Sequence, residues 1–236
     1  MQSRDRLIVA LDRSSRDEIL RLADTLHDAA GAYKIGLQAF ISNGPTIVRE
    51  LIRRGERIFL DLKIHDIPNT AQHAIAGIAD LGVWMTTVHA AGGEAMLHAS
   101  ARDDVIILGV TVLTSLDHKE LERTGFVGTP LENALRLARL SKQCGLRGVV
   151  ASPEETAAIR EACGPDLIIV TPGVRPEGSS GDDQRRTKTP AAAIAAGADY
   201  IVVGRPITDA AEPRVAALRI IERIDASKRS FAASSA

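Results

Sequence analysis

The chain has 236 residues, room for one large α/β domain rather than two small ones. Apolar residues make up 45% of it and aromatics only 3%, so its core must be aliphatic. Twenty-nine basic residues against thirty acidic ones leave a net charge of −1, which excludes a global field for nucleic acid or an anionic membrane. Any bound anion must therefore be held by a local site. Cys144 and Cys163 have no metal-type spacing and are too few for a disulfide framework, so they read as reduced, inert thiols. No apolar run is long enough to span a bilayer, and Met1 to Arg6 lead into a strand-like run without an apolar signal core. The expectation is a soluble, cytoplasmic protein with no nucleic-acid or membrane partner.

In chain order, strand patterns fall at 7–11, 32–35, 58–62, 85–89, 105–110, 148–151, 167–170 and 200–203. Helical periodicity lies between them at 15–29, 38–53, 71–81, 131–144, 154–163 and 191–196. Strict βα alternation implies parallel strands joined by crossover helices. Eight such units in about 225 residues suit a closed (β/α)8 TIM barrel, typically about 250 residues long. An open doubly wound sheet would place a glycine-rich turn after its first strand. Here that strand ends in Ala10-Leu11-Asp12-Arg13-Ser14, without glycine. The fold class expected is an α/β barrel in a single domain over 1–236, with 225–236 a frayed tail.

In a barrel, chemistry sits at the C-terminal ends of the strands. Asp12 follows the first strand, Lys34 lies on the second, and Asp61 and Lys63 lie on the third. In Phe59-Leu60-Asp61-Leu62-Lys63 the alternation turns Asp61 and Lys63 to the barrel axis and the leucines to the helices. Two interior charges are costly unless paired, and Asp12 and Lys34 are placed to pair them. A plain ion-pair network closing the barrel top would look similar, but four charges on the catalytic rim favour chemistry. Asp66 reads equally well as a loop or capping residue, and His65 beside it makes a weak metal-ligand set.

A second cluster reads as an anion cradle. Gly204 lets backbone approach a ligand and Arg205 offers a planar fork for phosphate oxygens, while Pro172 and Arg175 follow the seventh strand. The stretch 175–186, rich in Gly, Ser and Asp, reads as a lid beside that site. Thr114 and Ser115, after the fifth strand, suit the edge of a polar ring or a helix cap. The remaining histidines form no triad or ligand spacing; His89 reads as a structural hydrogen-bonding residue.

Asp61-Leu62-Lys63-Ile64-His65-Asp66-Ile67-Pro68-Asn69-Thr70 resembles the signature of the orotidine 5′-phosphate decarboxylase family, in its short bacterial form. The likeness extends through Tyr33-Lys34-Ile35-Gly36, Leu113-Thr114-Ser115, Thr171-Pro172-Gly173-Val174-Arg175, Asp183-Gln184-Arg185-Arg186 and Val203-Gly204-Arg205-Pro206. It implies cofactor-free decarboxylation of a small nucleotide, orotidine 5′-monophosphate, without a metal. Lys34, Asp61, Lys63 and Asp66 would form an alternating charged array, with Lys63 donating the proton to the ring carbon. Asp12 and Lys34 would hold ribose hydroxyls and Ser115 the pyrimidine edge. Arg175, Gln184, Gly204 and Arg205 would bind the 5′-phosphate. The resemblance also implies a homodimer in which Asp66 and Thr70 serve the other subunit's site.

Two rival readings share these residues. The decarboxylase of 3-keto-L-gulonate 6-phosphate carries a related Asp-x-Lys-x-x-Asp arrangement but uses Mg²⁺; the His-Asp-Ile-Pro-Asn-Thr continuation and Gln184 favour orotidylate. A non-catalytic phosphate-binding barrel would keep Gly204-Arg205 yet have no use for an interior lysine, which this chain retains.

Overall fold

The computed structural model describes residues 1–175 and 188–234. Eight parallel strands close in chain order: β1 (Leu7–Ala10), β2 (Ala32–Gly36), β3 (Ile58–Ile64), β4 (Met85–His89), β5 (Ile106–Val110), β6 (Gly148–Val150), β7 (Ile168–Thr171) and β8 (Tyr200–Val203). Strand β8 pairs with β1, Leu7 opposite Ile201, which seals the barrel. Every predicted strand is present, its ends moved by no more than about two residues, the usual boundary error.

Helices α1 (Arg16–Leu26), α2 (Leu37–Asn43), α3 (Pro45–Arg53), α4 (Pro68–Ala79), α5 (Glu94–Ser100) and α6 (His118–Arg123) surround the first half. They are followed by α7 (Pro130–Gln143), α8 (Thr156–Cys163), α9 (Pro190–Ala195), α10 (Arg205–Thr208) and α11 (Pro213–Ser234). Local chemistry sets their ends. Thr129 Oγ1 accepts the Glu132 N–H while the Glu132 carboxylate accepts the Thr129 N–H, a reciprocal cap with Pro130 in the first turn. The single helix expected over 38–53 is instead two, because Gly44 takes φ 63° and Pro45 starts a new helix. Where a frayed tail is expected from 225, helix α11 continues past Ile224 to Ser234. Ser3 Oγ donates to Asp225 Oδ1 at 2.5 Å.

Side-chain alternation divides the core into two shells. Ile8, Ala10, Phe59, Met85, Leu108 and Val170 fill the barrel interior. Leu7, Val9, Ile35 and Leu60 face outward into the layer beneath the helices. Burying each such aliphatic side chain is worth about 1.5–3 kcal/mol, and the many in these shells account for a stable barrel with few aromatics. The N-terminal end of the barrel is closed by structure. Trp84 and Tyr200 meet edge to face at 5.0 Å, with Arg57 stacked 3.8 Å over the indole. Beside them Arg160 donates to the carbonyls of Gly164, Leu167 and Gly197 and to Asp199 Oδ2, which also accepts the Ile169 N–H. The opposite end is left to the charged rim. No helix among the described residues is long and apolar enough to cross a membrane.

Candidate active site

The C-terminal end of β3 carries the two charges that matter most. Phe59 points into the barrel, so Asp61 does too, and only 8% of Asp61 is exposed. Regular alternation does not continue to Lys63. The register between β3 and β4 shifts between Leu60 and Ile64, and Lys63 adopts φ 53°, the left-handed region that non-glycine residues rarely occupy. The bulge still brings Lys63 Nζ to 2.7 Å from Asp61 Oδ2, while Leu62 packs towards the helices.

Neighbouring strands extend the array. Lys34, on β2 and likewise 8% exposed, places Nζ 3.8 Å from Asp61 Oδ2 and 2.9 Å from Asp12 Oδ1. The order Asp12, Lys34, Asp61, Lys63 thus alternates in sign from β1 to β3. Burial alone would push the Asp61 carboxyl up. Lys34 and Lys63, with hydrogen bonds from Lys63 and Thr87, outweigh it and hold the carboxyl below its ordinary value. At the end of β4, burial pushes the His89 imidazole below its ordinary value, helped by the positive charge of Lys63 and by His65, whose ring lies 5.4 Å away; Asp61 opposes the shift. Among the described residues no group of three or more His, Cys, Asp or Glu is placed to hold a metal ion, so His65 and Asp66 gather no third ligand.

These charges form one wall of a cavity of about 660 Å³ that opens at the strand C-termini. Thr114, Pro172, Arg175, Gly204 and Arg205 line it as well. Thr114 and the predicted phosphate residues Pro172, Arg175, Gly204 and Arg205 therefore share a space with Asp12, Lys34, Asp61 and Lys63. That volume lies within the range typical of small-molecule sites, about 300–1,000 Å³. Three predicted residues stand apart from it. Ser115 is exposed beyond the lining, Asp66 is exposed on the β3–α4 turn, where its carboxylate accepts the Ile67 N–H at 2.7 Å, and Thr70 is exposed in the first turn of α4. Gln184 and nearly all of the expected lid over 175–186 lie outside the described residues.

Two contributors escaped sequence reasoning. A Cβ on Gly36 would stand 2.7 Å from both Asp12 Oδ1 and Lys34 Nζ, so a larger residue there would push the ends of both side chains out of their present positions. The available signal was a glycine ending a strand two residues after an interior lysine. The other is Thr87 on β4, whose hydroxyl touches both Asp61 and Lys63; a threonine in a buried strand gives no signal of its own.

A closed eight-stranded barrel with alternating charges at its strand C-termini, walling a substrate-sized cavity, defines a (β/α)8-barrel enzyme. The chain belongs to the Orotidine 5'-phosphate decarboxylase / HUMPS family, whose sequence profile matches residues 5–220. It is 48% identical to the orotidine 5'-phosphate decarboxylase of Moorella thermoacetica, over 95% of this chain and 94% of that one. It is 45% identical to the protein of the same name from Vibrio cholerae, over 94% of this chain and 97% of the relative. Among solved structures, the orotidine 5'-phosphate decarboxylase of Lactobacillus acidophilus superposes with a TM-score of 0.82 at 34% identity, covering 92% of this chain and 98% of that one.

Proposed function

We propose that the protein decarboxylates orotidine 5′-monophosphate to uridine 5′-monophosphate in pyrimidine synthesis, with Lys63 as the proton donor. The observation that carries this reading is the Lys34–Asp61–Lys63 array, two nearly buried charges and a bulged lysine at the mouth of one cavity. Loss of carbon dioxide from orotidylate leaves an electron pair at C6 in the plane of the ring, where the π system gives it no delocalisation. A preorganised ammonium at that carbon stabilises the developing charge and then supplies the proton. Asp61, set beside the departing carboxylate, disfavours the ground state. The reading asks for neither a metal nor an organic cofactor.

The other residues predicted from the sequence are assigned to the rest of the nucleotide. Asp12 and Lys34 hold ribose hydroxyls, and Thr114 and Ser115 meet the pyrimidine edge. Pro172, Arg175, Gly204 and Arg205 hold the phosphate, with Gln184 joining them. Binding energy from the phosphate, remote from C6, then serves orientation and water exclusion at the reacting carbon.

The active form is a homodimer in which Asp66 and Thr70 of each copy complete the other copy's site. Both are exposed and outside their own chain's cavity, and the apolar side chains of Leu37, Ile41 and Ile67 stand exposed at the ends of the adjacent strands β2 and β3. The two free, buried cysteines fit a reducing cytoplasm.

The test follows the fall in ultraviolet absorbance of orotidine 5′-monophosphate, with and without excess EDTA. Chelator-insensitive conversion by the native chain and none by Lys63→Ala is expected. No conversion by folded, dimeric protein overturns the assignment, EDTA-abolished turnover points to the metal-dependent sugar-phosphate chemistry, and near-normal turnover by Lys63→Ala overturns the proton-donor role.

A further inference from the structure

Strand β4 contributes two adjacent threonines, both fully buried and both hydrogen-bonded to β3. Met85 belongs to the barrel interior, so Thr87 shares that face and Thr86 faces the opposite way. Thr86 Oγ1 donates to the Leu60 carbonyl at 2.8 Å, a purely structural contact. The Thr87 hydroxyl does something different. It accepts the Lys63 backbone N–H at 2.9 Å and donates its own hydrogen to Asp61 Oδ1 at 2.9 Å.

That double contact falls where β3 departs from regular structure. The register shift between Leu60 and Ile64 takes Lys63 out of the ordinary ladder, and its φ of 53° needs a fixed partner to persist. A hydroxyl has one hydrogen to give and lone pairs to accept with, so a single group satisfies both neighbours. With Asp61 Oδ1 fixed by Thr87, Asp61 Oδ2 is left facing Lys63 Nζ at 2.7 Å and Lys34 Nζ at 3.8 Å. The backbone of Lys63 and the carboxylate that orients its ammonium are therefore joined through one oxygen.

We propose that Thr87 is a positioning residue for decarboxylation, its hydroxyl holding the left-handed Lys63 backbone and the Asp61 carboxylate as one unit so that the Lys63 ammonium is fixed at the reacting carbon. The inference rests on the assignment of Lys63 as proton donor. Thr87 lies behind the pair and lines no part of the cavity, so its effect passes through them and falls on turnover more than on substrate binding.

The experiment compares Thr87→Val, Thr87→Ser, Thr86→Val and Lys63→Ala in the full chain, reading kcat, KM and thermal midpoint with orotidine 5′-monophosphate. A misplaced reacting group costs on the order of 100-fold for about 1 Å. Thr87→Val is accordingly expected to lose about 10- to 100-fold in kcat with a much smaller change in KM, and Thr87→Ser to recover most of it. Thr86→Val removes an equally buried hydroxyl from the same strand, and is expected to lower the thermal midpoint while keeping kcat. Wild-type kcat in Thr87→Val, an equal kcat loss in Thr86→Val, or a Thr87→Ser variant as slow as Thr87→Val overturns the inference. Should Thr87→Val fail to fold, Thr87→Cys substitutes for it: its weak donor predicts kcat between those of wild type and Lys63→Ala, and wild-type kcat there overturns the proposal. If instead Lys63→Ala turns over normally, it is the underlying site assignment that fails.

Discussion

The Lys34 ammonium lies across the face of Gly36, 2.7 Å from the point where a Cβ on that residue would stand. The two residues are separated by one position on β2 and face the same way, so the glycine is the floor on which the Lys34–Asp12 ion pair rests. Gly36 itself has an ordinary extended backbone, φ −93°, which alanine adopts without strain. Gly36→Ala is therefore expected to leave the thermal midpoint nearly unchanged while its methyl parts the ion pair and moves the groups assigned to the ribose. Loss of one charge-assisted contact, about 1.5–3 kcal/mol, corresponds to about a 10- to 100-fold fall in kcat/KM. Steady-state kinetics beside a melting curve checks it; a variant with native kcat/KM would show that the pair does not need this floor.

Acid should weaken the fold in two steps. The folded His89 imidazole is held below its ordinary value of 6.5, by burial first and then by the charges of His65 and Lys63. As pH falls through about 6.5, the unfolded chain takes that proton before the folded one, so stability present above this pH is lost below it. Asp61 has the same sign lower down: its folded carboxyl is held below the ordinary 3.8, so its contribution is full above that value and disappears as pH drops through the folded one. Urea midpoints measured between about pH 8 and 5 should decline less steeply for His89→Gln than for the native chain. Identical slopes would remove His89 from the account.

The barrel was legible from the chain because period-two runs of aliphatic residues recur at regular spacing, and the closed order of β1 to β8 follows from that. Asp12, Lys34, Asp61 and Lys63 were legible as a group because strand ends converge in a barrel. Less legible was how Lys63 reaches Asp61. Alternation predicted a straight strand, whereas a bulge with a left-handed lysine forms, stabilised by Thr87 from another strand. Nothing local to Lys63 reports a partner 24 positions away. The helix break at Gly44-Pro45 was there to be read, but the apolar periodicity on either side of it masked the junction. In the same way, the helix over Pro213–Ser234 was hidden by an end rich in Ala and Ser, a composition that suits a frayed tail as well as a helix.

The proposed sharing of sites between two copies makes the most demanding prediction. Ile67 is 66% exposed and sits between Asp66 and Pro68, in the segment assigned to reach the other copy. A charge at such a position costs the isolated chain little, within about 0.5 kcal/mol for an exposed substitution, but opposes burial of the apolar patch against a second copy. Ile67→Asp is expected to sediment as a folded monomer and to lose turnover, because Asp66 and Thr70 then complete no cavity. Complementation isolates the sharing itself. Lys63→Ala and Asp66→Ala chains, each inactive alone, are refolded together; a mixed dimer has one cavity with both an intact Lys63 and an intact Asp66 supplied across the interface. Random pairing makes half the dimers mixed, each with one good site of two, so activity should return to about one quarter of native. No recovery in confirmed mixed dimers would place Asp66 outside the other copy's cavity and leave the dimer, if it forms, without a catalytic purpose.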